Sequence, residues 1–137
     1  MTGRTTSGEI KKLEPNQIFV FGSNLIGKHG KGAAKTAMGF GAKWGQAAGL
    51  QGRTYGIPTK GKSMKKILTL IEIKPFVDDF IEFAKANPGL TFLTTEIGCG
   101  LSNYKPKDIA PLFAAAIDVP NIHLPDRFWH KLIKTDK

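Results

Sequence analysis

Two apolar strands that each empty into a glycine-rich loop constrain this chain more than any other feature. Gln17–Phe21 (QIFVF) opens into Gly22-Ser23-Asn24 and then Gly27-Lys28-His29-Gly30-Lys31-Gly32. Phe92–Ile97 opens into Gly98-Cys99-Gly100. Glycine has no Cβ, so such loops let backbone approach a ligand closely. Open α/β sheets place ligands at the carboxyl ends of their strands, where N–H nests and helix N-termini favour phosphate. Two such junctions in one small chain predict a cleft lined by backbone N–H groups.

The remaining segments supply the alternation that such a sheet needs. A short helix is predicted from Ala33 to Phe40, with small residues that permit close packing. Residues 41–53 read as a loop with a short helix, Thr54–Ile57 as a strand stopped by Pro58, and Lys60–Lys66 as a basic turn. Ile67–Ile71 stays open between two readings. Thr69 and Glu72 have capping-box spacing, whereas Pro75 suits a first helical turn. Phe76, Val77, Phe80, Ile81 and Ala84 form one face of a helix reaching Ala86, and Asn87-Pro88-Gly89 ends it. A strand over Thr91–Ile97, a helix over Pro106–Ala116, a strand over Asn121–Leu124 and a helix over Pro125–Lys134 follow. Phe128, Trp129 and Leu132 dock that last helix. The alternation predicts an α/β fold with helices on both faces of the sheet. Residues 1–15 read as a flexible arm and 16–137 as a single domain.

Charge is unevenly spread. The chain carries 20 Lys+Arg against 11 Asp+Glu, a net +9. No carboxylate occurs between Glu14 and Glu72, a gap that holds Lys28, Lys31, Lys35, Lys43, Arg53, Lys60, Lys62, Lys65 and Lys66. Outside it the charges nearly cancel. The glycine loops thus share a half of the sequence with a positive field, which suits a nucleotide or nucleic acid. The plain alternative is a solvated basic surface. No uncharged apolar run is long enough to span a membrane, and the polar N-terminus lacks a signal-peptide core, so a cytoplasmic protein is expected. One Cys and three scattered His exclude an internal disulfide and argue against structural zinc. Neither metal nor cofactor is expected.

Several chemistries compete for these loops. Gly22 to Lys28 has Walker A spacing, but His29 stands where Ser or Thr should hold magnesium, and Gly30 and Gly32 interrupt the helix. Lys35 occupies the third glycine position of a dinucleotide fingerprint begun by Gly30 and Gly32. Cys99 is a nucleophile candidate with His29 or His123 as base, or else a small residue filling space under a loop. Asn24 offers an amide that donates to and accepts from a sugar hydroxyl, or else serves a turn. Lys31, between glycines, is either an acid/base group or a solvated lysine. Tyr104, Trp44 and Phe40 are platforms for a base or parts of the core.

These pieces together resemble the macro domain, the ADP-ribose-binding module, from Gln17 to Leu124. Phe21-Gly22-Ser23-Asn24 looks like the family's strand ending in Asn, and Gly30-Lys31-Gly32-Ala33-Ala34 like its glycine segment before the first helix. Thr54-Tyr55-Gly56-Ile57-Pro58 resembles its middle strand. Ile97-Gly98-Cys99-Gly100-Leu101 resembles its second phosphate loop, in the form used by terminal ADP-ribose glycohydrolase and by bacterial antitoxins that strip ADP-ribose from DNA. The resemblance implies a three-layer α/β/α sandwich with a mixed central sheet. It implies that Asn24 lies near the distal ribose. Gly22 and Ser23 would belong to the ligand-binding residues beside Asn24, and the backbone of Gly30, Lys31, Gly32 and Ala33 would cradle the two phosphates from one side. Gly98, Cys99, Gly100, Leu101, Ser102, Asn103 and Tyr104 would face them. Ser102 and Ala34 occupy the positions of the family's catalytic Asp residues, which leaves Asn24 and Lys31 as the catalytic candidates. Gly8-Glu9-Ile10 is the match for its adenine-binding Gly-Asp-Ile. The implied activity is binding of ADP-ribose or a related nucleotide diphosphate. Removal of ADP-ribose from protein or nucleic acid, or processing of ADP-ribose phosphate, is its enzymatic extension. The alternative is a basic nucleic-acid-binding module without catalysis.

Overall fold

The computed structural model describes residues 3–63 and 65–133. Its strands are β1 (Thr5–Thr6), β2 (Gln17–Asn24), β3 (Gly49–Gln51), β4 (Thr54–Lys60), β5 (Thr91–Thr94) and β6 (Ile122–Pro125). Its helices are α1 (Gly32–Met38), α2 (Leu70–Ala86), α3 (Pro106–Ile109) and α4 (Asp126–Leu132), with a 3-10 helix over Ala110–Asp118. The six strands form one mixed sheet in the order β1-β6-β5-β2-β4-β3, parallel except for β3.

Strand β2 sits between β4 and β5, and alternation sends its side chains to two separate cores. Ile18 and Val20 join α2, the 3-10 helix and α4 in a core built from Phe80, Phe92, Phe113 and Phe128. Phe19 and Phe21 meet Ala34 and Ala37 of α1 on the other face. Both faces are covered, so QIFVF reads as a continuous apolar run rather than an alternating one. The α/β expectation with helices on both faces holds.

Helix α2 has the capping box that the Thr69/Glu72 spacing suggested. Thr69 N–H donates to Glu72 Oε1 at 2.9 Å, and Glu72 N–H to Thr69 Oγ1 at 3.2 Å. The helix therefore starts at Leu70, and Pro75 lies inside it rather than in its first positions. Ile73, Val77, Phe80, Ile81 and Ala84 form the buried face, while Phe76 is only half-buried.

Five readings change. Residues 41–53 hold no helix: Gly41, Gly45, Gly49 and Gly52 all have positive φ, which breaks helical geometry, and Gly49–Gln51 instead forms β3. Strand β4 runs through Pro58 to Lys60. Pro58 pairs with Ser23, and β3 has already ended opposite Gly56, so no ladder bond awaits the missing N–H there. The helix expected over Pro106–Ala116 becomes one α-turn and a 3-10 segment, because Pro111 lacks the N–H that would continue the ladder. The strand expected to reach Ile97 ends at Thr94, where Thr95 turns back and donates N–H and Oγ1–H to Val20 O at 3.1 and 2.8 Å. Finally, part of the expected arm belongs to the sheet. Thr5–Thr6 pairs with Leu124–Pro125. Arg4 donates to the carbonyls of Ala116, Ile117, Val119 and Ile122 at 2.8–3.1 Å, and its own carbonyl accepts from Trp129 Nε1 at 2.8 Å. The guanidinium thus adds charged donors to the carbonyls around the end of the 3-10 helix, two of which, Ala116 O and Val119 O, also accept backbone N–H groups. The helix end expected at Lys134 lies outside the described residues.

Candidate functional site

The carboxyl ends of β2, β4 and β5 open onto a cleft of about 800 Å³. Both glycine loops line it: Gly22, Ser23, Asn24, Gly30, Lys31, Gly32 and Ala33 from one side, Gly98, Cys99, Gly100, Leu101 and Ser102 from the other. A Cβ built on Gly32 would stand 3.8 Å from Leu101 Cδ1, so the two loops come close at this point. Among the described residues, the N–H groups of Gly30, Lys31, Gly98, Gly100, Leu101 and Ser102 make no hydrogen bond within the protein. Unpaired N–H groups on a concave wall are the elements of an anion nest.

The first loop is held rigidly from beneath. Asn24 is 4% exposed. Its Nδ2 donates to Lys28 O at 2.8 Å, and its Oδ1 accepts from Lys28 N–H at 2.9 Å. The amide predicted for a sugar hydroxyl thus closes the turn from Asn24 to Lys28 first. Ser23 Oγ–H donates to Ala47 O. His29 is buried on the edge of Phe21, with ring centroids 5.1 Å apart. Its Nε2 faces two acceptors, Gln46 O at 3.0 Å and Gln51 Oε1 at 3.1 Å, so the ring proton resides on Nε2. Gly27 has φ +71°, and a Cβ there would lie 2.5 Å from the Gly45 and Gln46 backbone. Only glycine lets these two loops touch.

The second loop is pinned at its base. Gly98 has φ +77°, and Tyr104 N–H donates to its carbonyl at 2.9 Å. Ser102, 5% exposed, shares a 2.8 Å hydrogen bond with Thr59 Oγ1 on the cleft floor. Cys99 is unsuited to nucleophilic attack. Burial, then the charge of Glu96, pushes its thiol up to about 11. Neither His29 nor His123 lines the cleft. Burial and the nearby Arg4 hold His123 below its usual pKa.

Two site residues and one aromatic fall elsewhere. Tyr104 packs on the main core and donates its hydroxyl to Leu68 O at 2.6 Å, and Asn103 takes a positive φ of 64° in the turn before it. Neither lines the cleft. Phe40 packs 5.3 Å from Phe19 on the α1 face. Trp44 does line the cleft and is 59% exposed, a ring free to stack on a planar group.

Lys28, Lys31 and Lys60 bring positive charge to the walls. The wall also carries a carboxylate that the sequence reading passed over. Glu96 forms a bidentate pair with Arg127 of α4, through Nε–Oε2 at 2.7 Å and Nη2–Oε1 at 2.6 Å. Hydrogen bonding from Arg127 holds Glu96 below the usual carboxylate range. The available signal was its position, two residues before Gly98 at a strand end.

A second cavity of about 570 Å³ adjoins the cleft, since Ala33 and Thr95 line both. Gly8, Glu9 and Ile10 form one wall, and Phe19 and Phe40 contribute to the rest. Among the described residues no group of His, Cys, Asp and Glu is placed to hold a metal, and no helix is long and apolar enough to cross a membrane. No family model matches the chain, and no curated protein or solved structure matches it either.

Proposed function

We propose that this chain is a macro-like domain that binds ADP-ribose or a closely related nucleotide, with the diphosphate between the two glycine loops. The observation that carries the reading is the pairing of those loops across one cleft, with unbonded N–H groups on both and lysines on the walls. The size of the cleft suits a nucleotide-sized ligand. The adjoining cavity supports the same reading. It offers the half-buried Phe40 ring to a base and the Glu9 carboxylate to an exocyclic amine, next to the phosphate end.

The proposal is binding, without a catalytic step. Ser102 and Ala34 stand where the resemblance requires carboxylates, Glu96 is occupied by Arg127, and the Cys99 thiol is protonated at neutral pH. Asn24 and Lys31 act here as a turn clamp and a phosphate counter-charge. An ADP-ribosyl group on a protein or nucleic acid is then a mark to be held.

Calorimetric titration with ADP-ribose at low and physiological salt tests this directly. Saturable one-to-one binding that survives salt is expected, because a nest-bound diphosphate depends on salt less than a polyanion does. Absence of heat at both salts sinks the reading. Release of free ADP-ribose from modified protein, DNA or RNA would replace binding with hydrolysis.

A further inference from the structure

A groove of about 580 Å³ runs between α3 and α4, outside the cleft. Lys105, Lys107, Arg127 and Lys131 line it, all exposed. The three lysines enter no ion pair among the described residues. Three carboxylates lie near, Asp126, Asp108 and the Glu96 held by Arg127. Asp126 lines the groove with its Oδ2 3.5 Å from His130 Nε2, and Asp108 is engaged in accepting Lys105 N–H at 2.9 Å. Arg127 gives Nε and Nη2 to Glu96 and leaves Nη1 without a partner in those bonds. Guanidinium has donors enough for a phosphate as well.

The lining has cations but no phenyl, indole or phenol ring, and Pro106 is its single apolar side chain. Such a surface grips a charged backbone and ignores bases. Apart from Pro106, a peptide would find no apolar or aromatic side chain there on which to anchor. We propose that this groove docks the phosphodiester backbone of a nucleic-acid strand, independently of sequence and of what fills the cleft. The Glu96–Arg127 pair joins a residue of the groove to a residue of the cleft wall, so a docked strand lies beside the cleft.

Fluorescence anisotropy of fluorescein-labelled oligo-dT with the full chain, across a salt series, tests this. Lys107→Glu/Lys131→Glu is compared with Lys12→Glu/Lys85→Glu, which changes net charge equally but elsewhere. The groove variant is expected to lose about tenfold in affinity and to flatten the log–log salt slope by about 1.4, for two lost phosphate contacts. The matched variant should change less than about threefold. Equal losses in both variants, an unchanged groove variant, or no saturable binding by the wild type would overturn the proposal. So would equal displacement of the strand by polyglutamate, which would make the occupant any acidic chain. If circular dichroism shows the groove variant unfolded, hydrogen exchange of the wild type decides. Protection of α3 and α4 by oligo-dT supports the groove, and its absence there refutes it.

Discussion

Arg127 on α4 grips Glu96 at the end of β5 through two hydrogen bonds of 2.7 and 2.6 Å, tying a peripheral helix to the wall of the cleft. Without Arg127, a bare carboxylate would face the site proposed for a diphosphate. Arg127→Met is therefore expected to weaken ADP-ribose binding by roughly tenfold, and Glu96→Gln in the same background to restore it. Calorimetry on the single and double variants reads this directly. The pair also sets a pH dependence. Glu96 is depressed in the folded state, so its stabilisation is present above the unfolded carboxylate pKa and fades as pH falls through the folded value. The melting-temperature gap between wild type and Arg127→Met should be small at neutral pH, because both side chains are partly solvated, and should close in strong acid.

Arg4 fastens the sheet edge. Replacing it with Met leaves carbonyls of the 3-10 helix end without their charged donor and removes a cation held 5.0 Å over the Trp129 ring. A loss of about 3 kcal/mol is expected in urea denaturation. A near-neutral result would mean that the arm contributes little to the fold.

The glycines of the two loops separate into structural and ligand-facing positions. Gly98→Ala meets both a positive φ and a Cβ 2.9 Å from Ile109 Cδ1, and should cost about 2 kcal/mol. Gly30 and Gly100 have open space around a built Cβ and no positive φ. Gly30→Ala and Gly100→Ala should melt near the wild-type temperature yet bind ADP-ribose more weakly. Wild-type affinity in both would remove the loops from the ligand contact.

Asn24 separates clamp from contact. Asn24→Asp keeps the acceptor for Lys28 N–H but cannot donate to Lys28 O, whereas Asn24→Ala loses both. If the clamp is its main task, stability should fall in both, by about 1 kcal/mol in Asp and 2 in Ala, with affinity tracking stability. Affinity lost in Asn24→Asp at unchanged stability would return the amide to the sugar.

Cys99 should be inert at physiological pH. With its thiol near 11, the thiolate is about one part in ten thousand at pH 7. Iodoacetamide labelling, followed by mass spectrometry, should stay slow until pH passes 10. Rapid labelling at pH 7 would revive the nucleophile reading.

The central elements were legible because their signals are local. QIFVF announces β2, the Thr69/Glu72 spacing announces the start of α2, and the two glycine runs announce the cleft. What was missed depends on partners distant in sequence. Strand β1 is two residues long and exists because β6 lies beside it. Pro58 reads as a stop until β3 is seen to end before it. Tyr104 reads as a ligand platform until Leu68 O appears at its hydroxyl. The charge of the second half nearly cancels along the chain but is spread unevenly in space, with Asp78 and Glu82 paired to Lys74 and Lys85 on α2. Asp78, Asp79 and Glu82 lie on the exposed side of α2, while Lys105, Lys107, Arg127 and Lys131 gather in one groove. Net charge per segment cannot register that distribution.

The bond from Trp129 to the Arg4 carbonyl also has a consequence for synthesis. Arg4 leaves the ribosome long before Trp129 has been made, so β1 has no β6 to join and the arginine no carbonyls to bind. Strands β2 and β4, together with α2, are complete much earlier and can associate while elongation continues. Helix α4 and strand β1 then meet across a long stretch of sequence, a closure of high contact order. The β3 edge can join β4 early, whereas the β1–β6 edge has to wait for its partners.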